Sequence, residues 1–224
     1  MKTPTPPIHK IVEEQVQRWQ LLHREEERKK RDFVVTVSRE PGSGGSLVAR
    51  SVAECLGIDF FHQQVIHEMA NSAKVSRKIA QTLDERGLSM IEDWISAVVS
   101  ERHLWPDQYL KHLLKVIGTI AGHGRAVLVG RGANFLIPRE KRFSVRVVAP
   151  VEARVRHMME DFGLTAEEAK SRIVKTESDR RAFIRKYFHA DIADPVHYDL
   201  VINTGTIDIE TAAEAVCHLL KRLK

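Results

Sequence analysis

Along residues 33–224 the apolar residues switch repeatedly between two spacings, and the switching predicts strands and helices in turn. The β-branched run Phe33-Val-Val-Thr-Val37 predicts a buried strand. Pro41-Gly-Ser-Gly-Gly45 breaks it, and Leu47, Val48, Val52 and Leu56 then recur at helical spacing, with Gly57 as the terminating residue. Ile58-Asp-Phe-Phe61 is short and apolar and leads into a helix over about residues 63–73. From Ser76 to Gly124 the pattern is helical throughout. Ile79, Leu83 and Leu88 belong to short pieces, Ile91 to Val99 to one amphipathic helix, and Leu110 to Ile120 to another. Ala126-Val-Leu-Val-Gly130, Phe143–Ala149 and Tyr198–Asn203 predict three further strands. Pro150 opens a helix in its first turn, and Thr165-Ala-Glu-Glu168 is a capping box whose helix is expected to reach Lys186. A last helix is expected over Ile209–Leu223.

Ahead of this alternation, residues 1–7 are rich in proline and residues 8–31 predict one helix. Its apolar stripe is narrow: Ile11, Val12, Val16, Trp19 and Leu22. The stripe has to be covered, either by the rest of the chain or by a second copy, which raises a homodimer through this helix as an expectation. The second half of the helix, Arg24-Glu-Glu-Glu-Arg-Lys-Lys-Arg31, carries mixed signs and reads as a solvated face rather than a nucleic-acid contact.

Strands alternating with helices imply an α/β fold with a mostly parallel sheet and helices on both faces. In such sheets binding sites gather where the strands end. Four loops converge there: the glycine loop, Gly130-Arg131, Ala149-Pro150 and Asn203-Thr204.

Composition narrows the classes of function. The chain has 224 residues, 43% of them hydrophobic, which is enough for one α/β domain with insertions. No apolar run approaches the length of a membrane span, and Met1–Pro7 leads into polar sequence rather than an apolar signal segment. Cys55 and Cys217 lack metal-ligand spacing and read as core thiols of a reducing cytoplasm, so a cytoplasmic location is expected. The net charge of +5 suits phosphorylated small molecules as well as nucleic acid.

The glycine loop is where chemistry is expected. A strand, a run of small residues at positions 42 to 46 and a helix N-terminus together direct backbone N–H groups and a positive dipole end at one spot, which is a phosphate site. Against the pattern G-x-x-x-x-G-K-[ST], Gly44 and Ser46 match, Arg39 stands at the first glycine and Gly45 at the lysine. Ser46 stands where the magnesium-binding hydroxyl of such a loop sits, although a helix cap explains a serine there equally well. Arg131, between Gly130 and Gly132, follows a buried strand, and its flanking glycines let a substrate approach closely. Lys175-Thr-Glu-Ser-Asp-Arg-Arg181 with Arg185 places basic residues around Asp179, Arg181 and Arg185 sharing a helix face. No Cys/His set has metal spacing, and none of the 11 histidines, including His62, His67 and His189, has a compelling catalytic partner.

Taken together these stretches resemble the cytidylate kinase-like family of P-loop nucleoside monophosphate kinases. The resemblance rests on Ser38-Arg-Glu-Pro-Gly-Ser-Gly-Gly45, on Gly130-Arg-Gly-Ala-Asn134, and on Asp179-Arg180, Tyr187, Asp194-Pro195, Tyr198-Asp199 and Asn203-Thr204 in order, and spans about residues 33–222. It implies a P-loop three-layer α/β/α fold over residues 33–224. Within that fold it implies a helical acceptor-binding insertion at about 60–124, starting with Phe60–Ala73, and a lid at about 165–195; residues 1–32 form an extension outside the match. It implies transfer of the ATP γ-phosphate to a nucleoside monophosphate such as CMP, with Mg2+. Arg39, Gly42, Ser43, Gly44, Gly45, Ser46 and Leu47 would hold the donor phosphates, with Ser46 on the metal. Arg131 resembles the arginine on the acceptor phosphate, and Arg154 with Arg180 or Arg181 resemble lid arginines. Two departures stand out: the loop lysine is absent, and Phe61-His62 replaces the Tyr-Asp common in relatives. The first departure keeps open a non-catalytic nucleotide-binding or regulatory protein on the same fold.

Overall fold

In the computed structural model the described residues are 7–22, 33–83, 85–101 and 107–223. The chain divides into two compact units, residues 1–32 with 62–124, and residues 33–61 with 125–224.

The first unit is helical. It contains α1 (Ile8–Leu22), α3 (Gln63–Asn71), α4 (Ala73–Ala80), α5 (Glu85–Glu101) and α6 (Gln108–His123). The helical stretch from Ser76 to Gly124 comprises the remainder of α4, then α5 and α6, and polar caps open α4 and α6. Ser72 accepts from Val75 N at 3.3 Å and Asp107 accepts from Leu110 N at 2.9 Å, each satisfying an orphan N–H of a first turn. Leu110, Leu113, Leu114, Val116, Ile117 and Ile120 bury α6 on most of its circumference, the mark of a central helix. Gly118 lets α5 approach it: a Cβ there would lie 2.5 Å from the Trp94 ring. Three residues of the α1 stripe are covered inside this unit. Val12, Val16 and Trp19 are buried, and the Trp19 ring stacks on His123 with centroids 4.2 Å apart. The charged run 24–31 lies outside the described residues.

The second unit holds five strands: β1 (Val34–Arg39), β2 (Asp59–Phe61), β3 (Ala126–Val129), β4 (Arg142–Val148) and β5 (Leu200–Asn203). All are parallel, in the order β2-β3-β1-β4-β5. β2 was not expected as a strand, since three residues are too few to show alternation; it is held at the sheet edge by pairing with β3. The helices are α2 (Gly45–Leu56), α7 (Ala133–Leu136), α8 (Val151–Phe162), α9 (Ala166–Phe188) and α10 (Ile209–Arg222), completing a three-layer α/β/α fold.

Period-2 alternation sorts the central strands. Val35, Val37, Phe143, Val145 and Val147 form one core with Val48, Val52, Ala212 and Val216 of α2 and α10. The intervening Thr36, Ser38, Ser144 and Arg146 are polar, buried and paired across β1 and β4. Thr36 Oγ1 donates to Ser144 Oγ at 3.0 Å and Arg146 Nη1 to Ser38 Oγ at 3.0 Å. The expectation of two core thiols holds for Cys217, which is buried; Cys55 is exposed near the end of α2. Burial and the neighbouring Cys55 push the Cys217 thiol up to about 12.

α8 runs from Val151 to Phe162, with Pro150 just ahead of its first turn. The predicted capping box at Thr165 is formed in both directions. Glu168 N donates to Thr165 Oγ1 at 3.3 Å and Thr165 N to Glu168 at 2.8 Å. The helix it opens runs two residues past the predicted end, to Phe188, with His189 in the left-handed region as its cap.

Candidate active site

The glycine loop joins β1 to α2 and is fastened to the sheet from several sides. Ser43, fully buried, donates to Glu40 O at 2.9 Å and Val147 O at 3.3 Å, and accepts from Gly45 N at 3.4 Å. Thr204, just past β5, donates to Ser43 O at 2.7 Å, and His157 Nδ1 of α8 donates to Gly42 O at 2.9 Å. Gly42 and Gly44 take φ of 78° and 70°, which disfavours side chains. A Cβ on Gly42 would lie 2.6 Å from Arg154 O, so the loop is also pressed against α8. The small residues therefore make a rigid cradle at a helix N-terminus, an arrangement suited to phosphate.

Ser43 thus serves the cradle's shape through its side chain. Ser46 is the second residue of α2 and part-exposed. The Leu47 amide donates to Gly44 O at 2.8 Å and its side chain is largely exposed.

Around the cradle five guanidinium groups gather: Arg39, Arg131, Arg146, Arg154 and Arg180. Two carboxylates face them. Glu40 lies 3.8 Å from Arg146 and 3.6 Å from Arg154 Nε, and accepts from Ala149 N at 3.1 Å. Glu177 accepts from Arg154 Nη1 at 2.6 Å. Arg180 Nη1 donates to Arg39 O at 2.6 Å, tying α9 to the end of β1. The excess of positive charge is felt by its members. Burial, then Arg180 and Arg131, hold Arg39 well below the usual arginine range; burial is the main cause bringing Arg180 down to about 10, opposed by Glu177. Arg131, Arg154 and Arg180 each keep a buried Nε with no hydrogen-bond partner, as does Asn134 with its amide nitrogen. Buried polar atoms of this kind call for a ligand or water.

Arg131 sits at φ 53° between Gly130 at 75° and Gly132 at 69°, so three successive residues are left-handed. Arginine tolerates that region poorly, and such strain persists where the surroundings enforce it. Here they do. Gly130 N donates to Val37 O at 3.0 Å, and the Phe188 ring fills the place a Gly132 Cβ would occupy, at 2.2 Å. The Arg131 guanidinium stands 5.9 Å from the centre of the Phe183 ring.

Of the residues expected from the sequence, Arg39, Arg131, Arg154 and Arg180 come together beside Gly42–Ser46. Arg181, one step along α9, is exposed. Sequence reasoning passed over Arg146, Glu40 and Glu177. Arg146 had a signal, being a lone charge inside an apolar strand. It is held over the Tyr198 ring at 5.5 Å, whose hydroxyl donates to Ser38 Oγ at 3.2 Å. The Asp-Pro-x-x-Tyr-Asp stretch likewise has a structural part: Asp199 accepts from Ser144 N at 2.8 Å and fixes β5 to β4.

The donor set suits a polyphosphate: a cradle closed to side chains, and guanidinium groups in excess of carboxylates. For Mg2+ the fit rests on fewer atoms. Among the described residues no group of three or more His, Cys, Asp or Glu is placed to hold a metal ion. Mg2+ in phosphoryl transfer keeps waters and binds substrate phosphates with one or two protein oxygens, a demand that the Ser46 hydroxyl can meet.

A rigid glycine cradle after the first strand of a parallel sheet, ringed by arginines, defines a P-loop-like α/β protein. A sequence model of the cytidylate kinase-like family matches residues 34–206, and the chain belongs to that family. It is 27% identical over 187 residues to a cytidylate kinase of Ignicoccus hospitalis, covering 84% of this chain and 98% of that one. It is 28% identical over 174 residues to a cytidylate kinase of Aeropyrum pernix, covering 78% and 91%. An uncharacterised protein from Eubacterium ventriosum shares the fold, with a TM-score of 0.59 at 19% identity over 84% of this chain and 98% of that one. Among the described residues no helix is long and apolar enough to cross a membrane.

Proposed function

We propose that the protein is a phosphotransferase moving the γ-phosphate of ATP to a nucleoside monophosphate, CMP or a related pyrimidine nucleotide first among the candidates. The observation that carries this reading is the excess of guanidinium charge beside the glycine cradle, with the buried Nε atoms of Arg131 and Arg180 making no hydrogen bond. Phosphoryl transfer passes through a loose transition state whose charge is spread over the transferring group, so fixed cations and positioning are what it asks of a protein. Membership of the cytidylate kinase-like family, and relatives named cytidylate kinases, support the acceptor class.

In this reading the backbone of Gly42–Ser46 holds the donor phosphates, and the Ser46 hydroxyl would hold a magnesium ion, which would supply charge neutralisation there. Arg131 binds the acceptor phosphate. Arg154 and Arg180 neutralise the group in transit, while Glu40 and Glu177 orient Arg154. Acceptor recognition by about residues 60–124 and closure by about residues 165–195, Arg181 included, belong to the same reading. An acceptor phosphate oxygen attacks the γ-phosphorus as its bond to the β-γ bridging oxygen breaks, and ADP leaves.

One observation favours a second reading, nucleotide binding without transfer: Gly45 stands where the common loop has lysine. Incubation with MgATP and a panel of nucleoside monophosphates separates the two. Formation of a nucleoside diphosphate from at least one acceptor supports the kinase. A nucleotide-induced rise in melting temperature with no diphosphate from any acceptor supports the second reading.

A further inference from the structure

Gly45 is closed to side chains. A Cβ built there lies 2.5 Å from Arg39 Cβ and 2.9 Å from Val147 Cβ, with Arg39 Cγ at 3.2 Å. None of these atoms is the far end of a flexible chain. Val147 is fully buried in β4, and Arg39 Cβ is fixed by the end of β1. A lysine at 45 would have to displace both.

Arg39 in turn occupies the position of the pattern's first glycine. The common loop has glycine at the end of the strand and lysine at the start of the helix; this chain has arginine at the first place and glycine at the second. The two substitutions are sterically one. The aliphatic stem of Arg39 packs into the space that Gly45 leaves, and either residue with its common partner restored would leave a clash or a hole. The charge that stem carries is not lost to solvent: Arg39 is 7% exposed, and its guanidinium lies close enough to Arg131 and Arg180 to feel their charges.

We infer that Arg39 and Gly45 are an exchanged pair, in which Arg39 supplies from the strand end the fixed positive charge toward the donor's β- and γ-phosphates that the loop lysine supplies from the helix start. This rests on the reading of Gly42–Ser46 as a donor-phosphate site. It removes the main argument for a non-catalytic protein, because the cation is relocated rather than missing.

The test is ATP affinity, by calorimetric titration and by the ATP-induced rise in melting temperature, so that no turnover is needed. Arg39→Met keeps the stem against Gly45 and is expected to fold and to lose ATP affinity by about tenfold or more, the worth of one charge-assisted contact. Arg39→Lys restores a point charge and is expected to stay within about threefold of the parent; a purely packing role predicts no difference between methionine and lysine. Gly45→Lys alone is expected to bind ATP poorly because of the clash. Arg39→Gly combined with Gly45→Lys removes the nearer clash and leaves only Val147 Cβ at 2.9 Å to give way, so it is expected to bind ATP better than Gly45→Lys alone. ATP binding by Arg39→Met equal to the parent overturns the exchange, and decides the matter alone if the double variant does not fold. A folded double variant that binds no better than Gly45→Lys also overturns it. Failure of the parent to bind ATP overturns the donor-site reading itself, and the exchange with it.

Discussion

Arg154 is shared between two carboxylates: its Nε lies 3.6 Å from Glu40 in the glycine loop, and its Nη1 donates at 2.6 Å to Glu177 on α9. The arginine side chain is 6% exposed, so both partners act on a buried charge. Glu40 also takes the Ala149 amide and faces Arg146 at 3.8 Å. One loop carboxylate thereby offsets two buried guanidinium groups and sets the shape of the cradle. Glu40→Gln is expected to destabilise the fold by about 1–3 kcal/mol, the cost of leaving buried charge uncompensated. Inorganic phosphate or ATP should recover more of that loss than it adds to the parent, since an anion replaces the lost charge. Thermal melting with and without each anion measures both effects.

Arg131 combines strain with an unpartnered buried Nε. Arg131→Gly removes both the side chain and the conformational penalty. Its melting temperature is expected to match or exceed the parent's, while the KM for the acceptor rises by about tenfold or more, as loss of a charged phosphate contact implies. A parental KM in a folded variant would move the acceptor phosphate elsewhere.

Gly132 has a packing reason to be glycine besides its φ of 69°, because a Cβ would enter the Phe188 ring at 2.2 Å. Gly132→Ala is expected to cost about 1–3 kcal/mol from overpacking and backbone strain together. Chemical denaturation gives the value, and urea midpoints equal to the parent's would show that the ring yields freely.

The caps of α9 and α10 make stability pH-dependent. Hydrogen bonds from the Thr165 backbone and hydroxyl hold Glu168 below the usual carboxylate range, and those from Thr211 do the same for Asp208. A carboxylate with a lowered folded-state pKa stabilises above its ordinary value and loses that contribution as pH falls through it. Parent stability is therefore expected to fall as pH drops through and below about 4, and Glu168→Gln with Asp208→Asn should show a shallower fall in acid melting curves.

Much of this arrangement was legible in the chain. The glycine loop, four of the strands and the capping box at Thr165 announce themselves by local rules: β-branched runs, small residues at a turn, Thr with Glu three places on. The site was legible in outline, as loops at strand ends carrying Arg131 and the arginines of α9. What stayed hidden depends on distant partners. β2 exists because β3 pairs with it. Arg146 meets Ser38 through the parallel register of β1 and β4, which no local pattern encodes. Helical spacing alone could not choose between Arg180 and Arg181; the contact with Arg39 O distinguishes them. The fit of Arg39 against Gly45 needed atoms, although both departures from the common loop were visible side by side.

The central claim is that this arginine-ringed cradle transfers phosphate. The most direct measurement follows the γ-phosphate of labelled ATP in the presence of magnesium and CMP or another nucleoside monophosphate, for the parent and for Arg180→Met. The account predicts label in the nucleoside diphosphate with the parent, and a fall of about hundredfold or more with the variant at a comparable melting temperature, as expected for loss of one charge-stabilising group. Label that stays in ATP, or leaves only as free phosphate with every acceptor, would contradict it.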